Sequence, residues 1–354
     1  LRQLMAKRTA LVPGALGITG RAIVEHLEDD PEWDVIGLSR RPPNFSTNAK
    51  FLSVDLLDAS DCTAKAGYLA AATHLFFCAY APQASVAAEI APNVSMLANL
   101  MDVLEPAADG LEHVQLMHGA KWYGSYLGPY KTPAKEDDPR PVVENFYHAQ
   151  QDWIVERQAG KNWTWSALRP HGIWGFSIGG RMNLMTGIVL YAAISKHLGL
   201  PLRWPGKPGF YDCVYNIIDT GLLAEAMEWA ATERATANDV FNISNGDFFR
   251  WNQMWPRIAE FFHMEIGSVQ TVPLQVVMAS KEPVWAEIVT AHNLQPFTLA
   301  ELTNWDYLDM ALGNAYDQMS STTKAQQAGW HKTLDSEATI GRQMQRLRDD
   351  KIIP

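Results

Sequence analysis

The stretch Leu11-Val12-Pro13-Gly14-Ala15-Leu16-Gly17-Ile18-Thr19-Gly20-Arg21 places the pattern G-x-x-G-x-x-G between two recognisable segments. Before it, Arg8 to Val12 is a β-prone run. After it, Arg21 to Leu27 carries apolar Ile23, Val24 and Leu27 at helical spacing. Strand, tight turn and helix in this order predict a nucleotide-binding crossover. Gly14 permits the turn, Gly17 lets the backbone approach a pyrophosphate, and Gly20 lets the helix pack closely. The helix N-terminus then turns its unpaired N–H groups and positive dipole end to the phosphates. The flanking elements, more than the glycines alone, give the motif its weight.

Outward from this motif the alternation continues. Further strands are expected at Trp33 to Leu38, Phe51 to Val54, His74 to Ala79, His113 to Met117, Trp163 to Leu168 and Val240 to Ile243. Helices are expected around Met182 to His197 and Thr220 to Thr232, so the chain leaves the sheet and returns. Strands alternating with helices imply a parallel sheet. The expected fold is α/β, a Rossmann-type doubly wound parallel sheet with a smaller, mostly helical substrate-binding domain toward the C-terminus. The nucleotide domain is expected over 5–170, completed by about 214–245, and the substrate domain over 171–213 and 246–354. Met5 reads as a natural start, with Leu1 to Leu4 before it.

The 354 residues are 47% hydrophobic and 19% charged, which excludes disorder as a description of the chain. A formal net charge of −10 repels nucleic acid and anionic membrane surfaces, so neither is an expected partner. Cys62, Cys78 and Cys213 lie far apart, with no metal-ligand spacing, so no metal site and a reducing, cytoplasmic setting are expected. His74, Ser195 and Lys196 interrupt the best apolar runs, and no membrane helix is expected. Of 13 tryptophans only Trp33 precedes residue 120, so the aromatic residues concentrate in the later part and suit either a core or an apolar pocket. Tyr126 to Pro141, with four prolines, reads as a surface loop.

The second strand ends in Ser39-Arg40-Arg41, about 20 residues beyond the glycines, where NAD-preferring sites carry a carboxylate. A hydroxyl and two guanidinium groups would instead bind a 2′-phosphate through charge-assisted hydrogen bonds, which favours NADP(H). The bland alternative is a solvated arginine pair before Pro42-Pro43. Asp55, after the third strand, is placed either to accept from the adenine amino group or to cap a helix. Lys121 follows the fifth strand, and Tyr147 stands at the start of a helix running through Trp153 to Glu156. A phenol beside an ammonium and an oxidised nicotinamide is an effective proton-handling group. Four residues after Tyr147, where short-chain dehydrogenases carry the lysine, stands Gln151. That departure argues against ordinary carbonyl reduction, alcohol oxidation and epimerisation.

The chain resembles the progesterone 5β-reductase and iridoid synthase-like group of extended short-chain dehydrogenase/reductases. The likeness runs through GALGITG, GLSRRPP, HGAKWYG, ENFYHAQQDWI, WSALRPHGIWGFS, MNLMTGIVLYAAISKH, FNISNGDFFRWNQMW and KEPVWAEIV. It implies Tyr147 and Lys121 as the catalytic pair and an NADPH-dependent reduction of the C=C bond of a small apolar enone or enal. Hydride adds to the β-carbon, and Tyr147 stabilises the resulting enolate. The cofactor set expected with it is Gly14, Gly17, Ile18, Thr19, Gly20, Ser39, Arg40, Arg41, Asp55, Leu56, Ala79, Tyr80, Gly119, Lys121, Tyr147, Pro170 and Ile173. The pocket set is Tyr80, Tyr123, Met182, Tyr211 and Trp285, with Tyr191, Phe210 and Trp305 as further candidates. The chain departs from the group at His148, where a second tyrosine is usual, in Lys121-Trp122-Tyr123, where Lys-His-Tyr is usual, and at Tyr80, where a tryptophan is usual. A pocket of different shape is expected. The resemblance also implies a homodimer, and a lid or wall from Gly313 to Trp330.

Three other readings compete. Gly175-Phe176-Ser177-Ile178-Gly179 matches the G-x-S-x-G hydrolase elbow, but Arg169 to Trp174 intervene after the strand. A non-catalytic NADP(H) sensor would need neither Lys121 nor Tyr147. A related carbonyl reductase or sugar-nucleotide epimerase-like enzyme is the third, and a carbonyl reductase would favour a saturated ketone over an enone.

Overall fold

Strand β1 (Arg8–Pro13) is buried from Thr9 to Pro13, and such a run, without alternation, fits a strand covered on both faces. It is central in the computed structural model, which describes residues 7–354. The expected start at Met5 lies outside the described residues. After β1 come α1 (Ile18–Leu27), β2 (Trp33–Ser39), β3 (Lys50–Ser53), β4 (His74–Phe77), α2 (Val86–Ala107), β5 (His113–Met117), α3 (Phe146–Gln158) and β6 (Thr164–Pro170). Then follow α4 (Leu184–His197), α5 (Thr220–Thr232), β7 (Asp239–Ile243), α6 (Trp251–Phe261), α7 (Glu282–His292), α8 (Trp305–Leu312) and α9 (Ser336–Asp349).

The seven strands form one parallel sheet in the order β7-β6-β5-β4-β1-β2-β3, with Leu11 between Ile36 and Leu75. The direction of winding reverses between β1 and β4, which opens a crevice at the carboxyl ends of those strands. On one face, Ile23 and Leu27 of α1 pack with Leu223 and Met227 of α5. On the other, Leu97, Leu100 and Leu104 of α2 pack with Ile154 of α3. The expected strands are all present, with ends that agree to within two residues. The fourth stops at Phe77, and the sixth runs on to Pro170.

The C-terminal helical region has its own core. Every residue of α4 from Leu184 to Ser195 is buried, which explains why this helix lacks a polar face. Asn183 caps it, its side chain accepting from Thr186 N, so Met182 falls just outside. Trp204 lies 4.9 Å from Trp255 and 5.7 Å from Trp251, ring centroid to centroid, and Phe210 packs in the same cluster. Trp285 belongs here too. It is 1% exposed and donates Nε1 to Phe297 O at 2.8 Å, so it packs as a core residue. Trp285→Ala should therefore destabilise by about 3–5 kcal/mol in urea titration while leaving turnover per folded molecule near wild type. A selective loss of turnover with unchanged stability would place it in the pocket wall.

One further expectation is corrected. The Tyr126 to Pro141 segment is not a plain surface loop, because Ala134 is fully buried and its carbonyl accepts from Asn242 Nδ2 at 3.1 Å. The Gly313 to Trp330 segment pairs at Ser320 with Ala134 and at Gln318 with Tyr215, and Trp330 ends against Trp229 of α5, 5.4 Å between ring centroids. Short two-residue pairings, Ile173–Trp174 with Ile218–Asp219 and Val214–Tyr215 with Phe249–Arg250, are too brief to leave a periodic signal in the sequence.

Candidate active site

Gly14 adopts φ +79°, and a Cβ there would lie 2.6 Å from the Cys78 carbonyl carbon. A Cβ on Gly20 would lie 2.2 Å from Gly14 O. Neither position can hold a side chain without moving backbone. Gly17 is the N-cap of α1 and offers no side-chain cap, so the first N–H groups, around Ile18 and Thr19, point to the crevice without a competing acceptor from the cap. The cradle is a dinucleotide site of the Rossmann kind. Ala79 and Tyr80 run directly past it, since Ala79 N would be 2.7 Å from a Cβ on Gly14.

At the end of β2 the Ser39 hydroxyl accepts from Arg41 N at 3.1 Å, and Arg40 and Arg41 are exposed. Asp55 does not cap a helix. Its Oδ1 accepts from Leu57 N at 3.0 Å, while Asp58 caps the short helix Ala59–Ala64. Leu56 is buried, and its carbonyl accepts from Asn99 Nδ2.

Beyond β5 the chain makes a 3₁₀ turn, Ala120–Tyr123, that presents Lys121. Asn145 ties this turn to α3: its Oδ1 accepts from Tyr147 N at 3.0 Å, and its Nδ2 donates to Lys121 O at 2.9 Å. One side chain thus sets both members of the pair. A Cβ on Gly119 would lie 3.5 Å from Tyr147 Oη and 3.6 Å from Pro170 O, so Gly119, Tyr147 and Pro170 converge at the ends of β5 and β6. Ile173 follows in the next short strand. Burial, the Glu89 carboxylate and the Tyr307 phenol push the Tyr147 phenol above its ordinary range. The His118 ring lies 5.0 Å from that of Tyr147; burial first, then the Arg169 charge, hold it neutral.

The departures at His148 and Gln151 have structural reasons. His148 is buried, completes a capping box with Asn145, and lies with Nε2 3.0 Å from Trp122 O. Gln151 Oε1 accepts from Arg169, whose guanidinium stands 3.6 Å above the Trp122 ring. Tyr123 also belongs to this buried assembly. Its hydroxyl donates to Asn242 Oδ1 at 2.6 Å and burial raises its pKa to about 12, so that hydroxyl is committed to the interior. Met182 is 44% exposed, and Tyr211 packs against Trp204. Ser177 is buried with an unpartnered Oγ among the described residues and no strand-to-helix elbow beneath it. Sequence reasoning missed Glu89, Asn145 and Tyr307. An Asn one residue before a helix is a readable cap, whereas the other two leave no local signal.

A parallel Rossmann sheet with a tyrosine and a lysine at the carboxyl ends of its strands defines a short-chain dehydrogenase/reductase of the extended type. In solved structures the same fold is seen in UDP-glucose 4-epimerase from Thermotoga maritima, with a TM-score of 0.68, 16% identity, and coverage of 96% of this chain and 99% of that one. Within that class the chain belongs to the family described as the PRISE-like Rossmann-fold domain, whose model matches residues 10–354. It is 34% identical over 361 residues to (S)-8-oxocitronellyl enol synthase of Nepeta racemosa, covering 98% of this chain and 93% of the relative. It is 33% identical over 364 residues to 3-oxo-Delta(4,5)-steroid 5-beta-reductase of Arabidopsis thaliana, with the same coverage. No helix among the described residues is long and apolar enough to cross a membrane.

Proposed function

We propose that this protein is an NADPH-dependent reductase of the C=C bond of small, largely apolar enones or enals. The observation that carries the reading is the convergence of Gly119, Tyr147 Oη and Pro170 at the crevice, with Lys121 Nζ held 3.3 Å from Glu89 and Gln151 turned to Arg169. The relatives named as an enol synthase and a steroid 5-beta-reductase point to the same chemistry.

The glycine cradle, with the uncapped end of α1, fits the pyrophosphate. Gly14, Gly17, Ile18, Thr19 and Gly20 would hold it, Asp55 and Leu56 would flank the adenine, and Ala79, Tyr80, Gly119, Pro170 and Ile173 would line the nicotinamide end. NADPH bound there supplies the hydride. Tyr147 donates its phenolic proton in a hydrogen bond to the substrate carbonyl oxygen, where negative charge develops once the β-carbon is attacked. Lys121 orients that end of the crevice. The sheet, residues 7–170 with the return through β7, serves the cofactor, and the helical region, with Tyr80, Met182 and Tyr211 near its boundary, serves the substrate. The free state of all three cysteines supports a reducing, cytoplasmic setting.

The test is NADPH oxidation with 2-cyclohexen-1-one and identification of the product. The saturated ketone is expected, whereas an allylic alcohol would make the protein a carbonyl reductase, and binding without turnover a sensor. Preference for NADPH over NADH rests on Ser39, Arg40 and Arg41. Arg41→Asp should raise KM for NADPH roughly 10–100-fold, the worth of one charge-assisted hydrogen bond, with little change for NADH. Equal losses with both cofactors would remove Arg41 from the 2′-phosphate.

A further inference from the structure

Glu89 stands in the first turn of α2, where an acidic residue ordinarily complements the helix dipole from water. Here the residue is only 5% exposed, and its carboxylate is divided between two partners. One oxygen accepts the Tyr80 hydroxyl; the other lies 3.3 Å from Lys121 Nζ. The surrounding frame is rigid. Asn93, fully buried, donates to Glu89 O at 2.8 Å, brackets Ala81 through its N–H and carbonyl, and accepts Gln150 Nε2 from α3 on its own carbonyl. Taking a carboxylate out of water is unfavourable unless its charge and lone pairs are matched, and a dipole-complementing role would not require it.

The groups that face Tyr147 come from four elements, Glu89 from α2, Tyr80 from the loop after β4, His118 from the end of β5 and Tyr307 from α8, and Lys121 of the 3₁₀ turn joins them through Glu89 and the Tyr80 ring. Lys121 brings the positive charge, and among the described residues the one hydrogen bond of its ammonium is to Glu89. An unpaired ammonium beside a phenol lowers the phenol's pKa, which suits proton exchange with an alcohol oxygen. Stabilising an enolate has the opposite requirement, because the donor must keep its proton.

We propose that Glu89 is a positioning residue of the reduction: its buried carboxylate takes up the Lys121 charge and anchors Tyr80, so that Tyr147 meets the substrate oxygen as a neutral hydrogen-bond donor. The proposal rests on the enone-reductase reading. The upward displacement of Tyr147 by burial and by Glu89 agrees with it. Tyr80 thereby acquires a role: its hydroxyl holds the carboxylate in place.

The test compares the full chain with Glu89→Gln and Glu89→Asp, measuring kcat for 2-cyclohexen-1-one with NADPH from neutral to strongly alkaline pH. Removing the negative charge eases ionisation of Tyr147, so Glu89→Gln should bring the alkaline fall in kcat down by about one pH unit, and Glu89→Asp should largely restore it. A Glu89→Gln profile that falls at the wild-type pH, with rate lost only in step with thermal stability, overturns the proposal. A second readout does not depend on turnover. Tyrosinate absorbance of the NADP⁺ complex is titrated in wild type and Glu89→Gln, each against its Tyr147→Phe counterpart. The Tyr147 component should ionise at lower pH in Glu89→Gln, and coincident titrations overturn the assignment of Glu89. If wild type forms no saturated ketone, the enone reading fails, and the absorbance titration still decides whether Glu89 holds the Tyr147 proton.

Discussion

Tyr147→Phe is expected to lower kcat for an enone by about two orders of magnitude, the usual effect of removing one donor from a developing oxyanion, while leaving NADPH affinity and thermal stability close to wild type. The ring is retained, so its packing against Phe146, at 4.3 Å, and against His118 persists. The lost group is a hydroxyl at the mouth of the crevice, 3.5 Å from where a Cβ on Gly119 would lie, on a half-buried ring. Single-turnover measurement with saturating NADPH separates this from product release. A variant that turns over at more than half the wild-type rate would show that the oxygen is stabilised by another group, with Tyr307 the next phenol in electrostatic reach.

The second large effect is acid unfolding. His74, His113 and His171 are buried and neutral, with burial the largest cause in each case; it lowers their pKa values to about 4, about 3 and about 4. His113 is fixed in the neutral form by Thr164 Oγ1 and Ser166 Oγ, each at 2.8 Å. Above pH 6.5 neither the folded nor the unfolded chain protonates these rings, and their contribution to stability is complete. As pH falls below 6.5 the unfolded chain binds protons first, and stability is lost until the folded-state values near pH 4 and 3 are reached. At about 1.4 kcal/mol per unit, each ring forfeits on the order of 3–5 kcal/mol, which for three is comparable with the whole stability of a typical domain. Circular dichroism should show cooperative loss of structure between about pH 5 and 4, with the two-to-three proton steepness of a multi-histidine transition. A native spectrum retained at pH 3.5 would mean that these rings find partners for a second proton.

Much of the fold was legible because buried parallel strands announce themselves as apolar runs. Arg8 to Val12, His113 to Met117 and Val240 to Ile243 fall within a residue of β1, β5 and β7, and Thr220 to Thr232 coincides with α5. The glycine cradle and the helix that carries Tyr147 were legible for a related reason, since both are built from neighbours in sequence. What escaped is built from side chains far apart in the chain. Glu89, at an ordinary first-turn position, gives no sign of the burial that Tyr80 and Lys121 impose on it. Trp285 and Tyr123 could not be told from pocket residues by type, and only the partners of Nε1 and Oη, Phe297 O and Asn242 Oδ1, place them in the interior.

The return of the chain to β7 has a consequence for how the molecule comes into being. The edge of the sheet beside β6 is closed by residues 239–243, made only after the whole of α4 and α5. Trp330, later still, covers α5. During synthesis the six-stranded sheet therefore waits with an open edge at Thr164–Pro170 for about 70 residues, several seconds at ordinary rates of elongation. Its long-range closure makes folding slow relative to local helix formation. Nascent chains halted before residue 239 should be the aggregation-prone species, and those released after residue 330 the first to resist protease throughout.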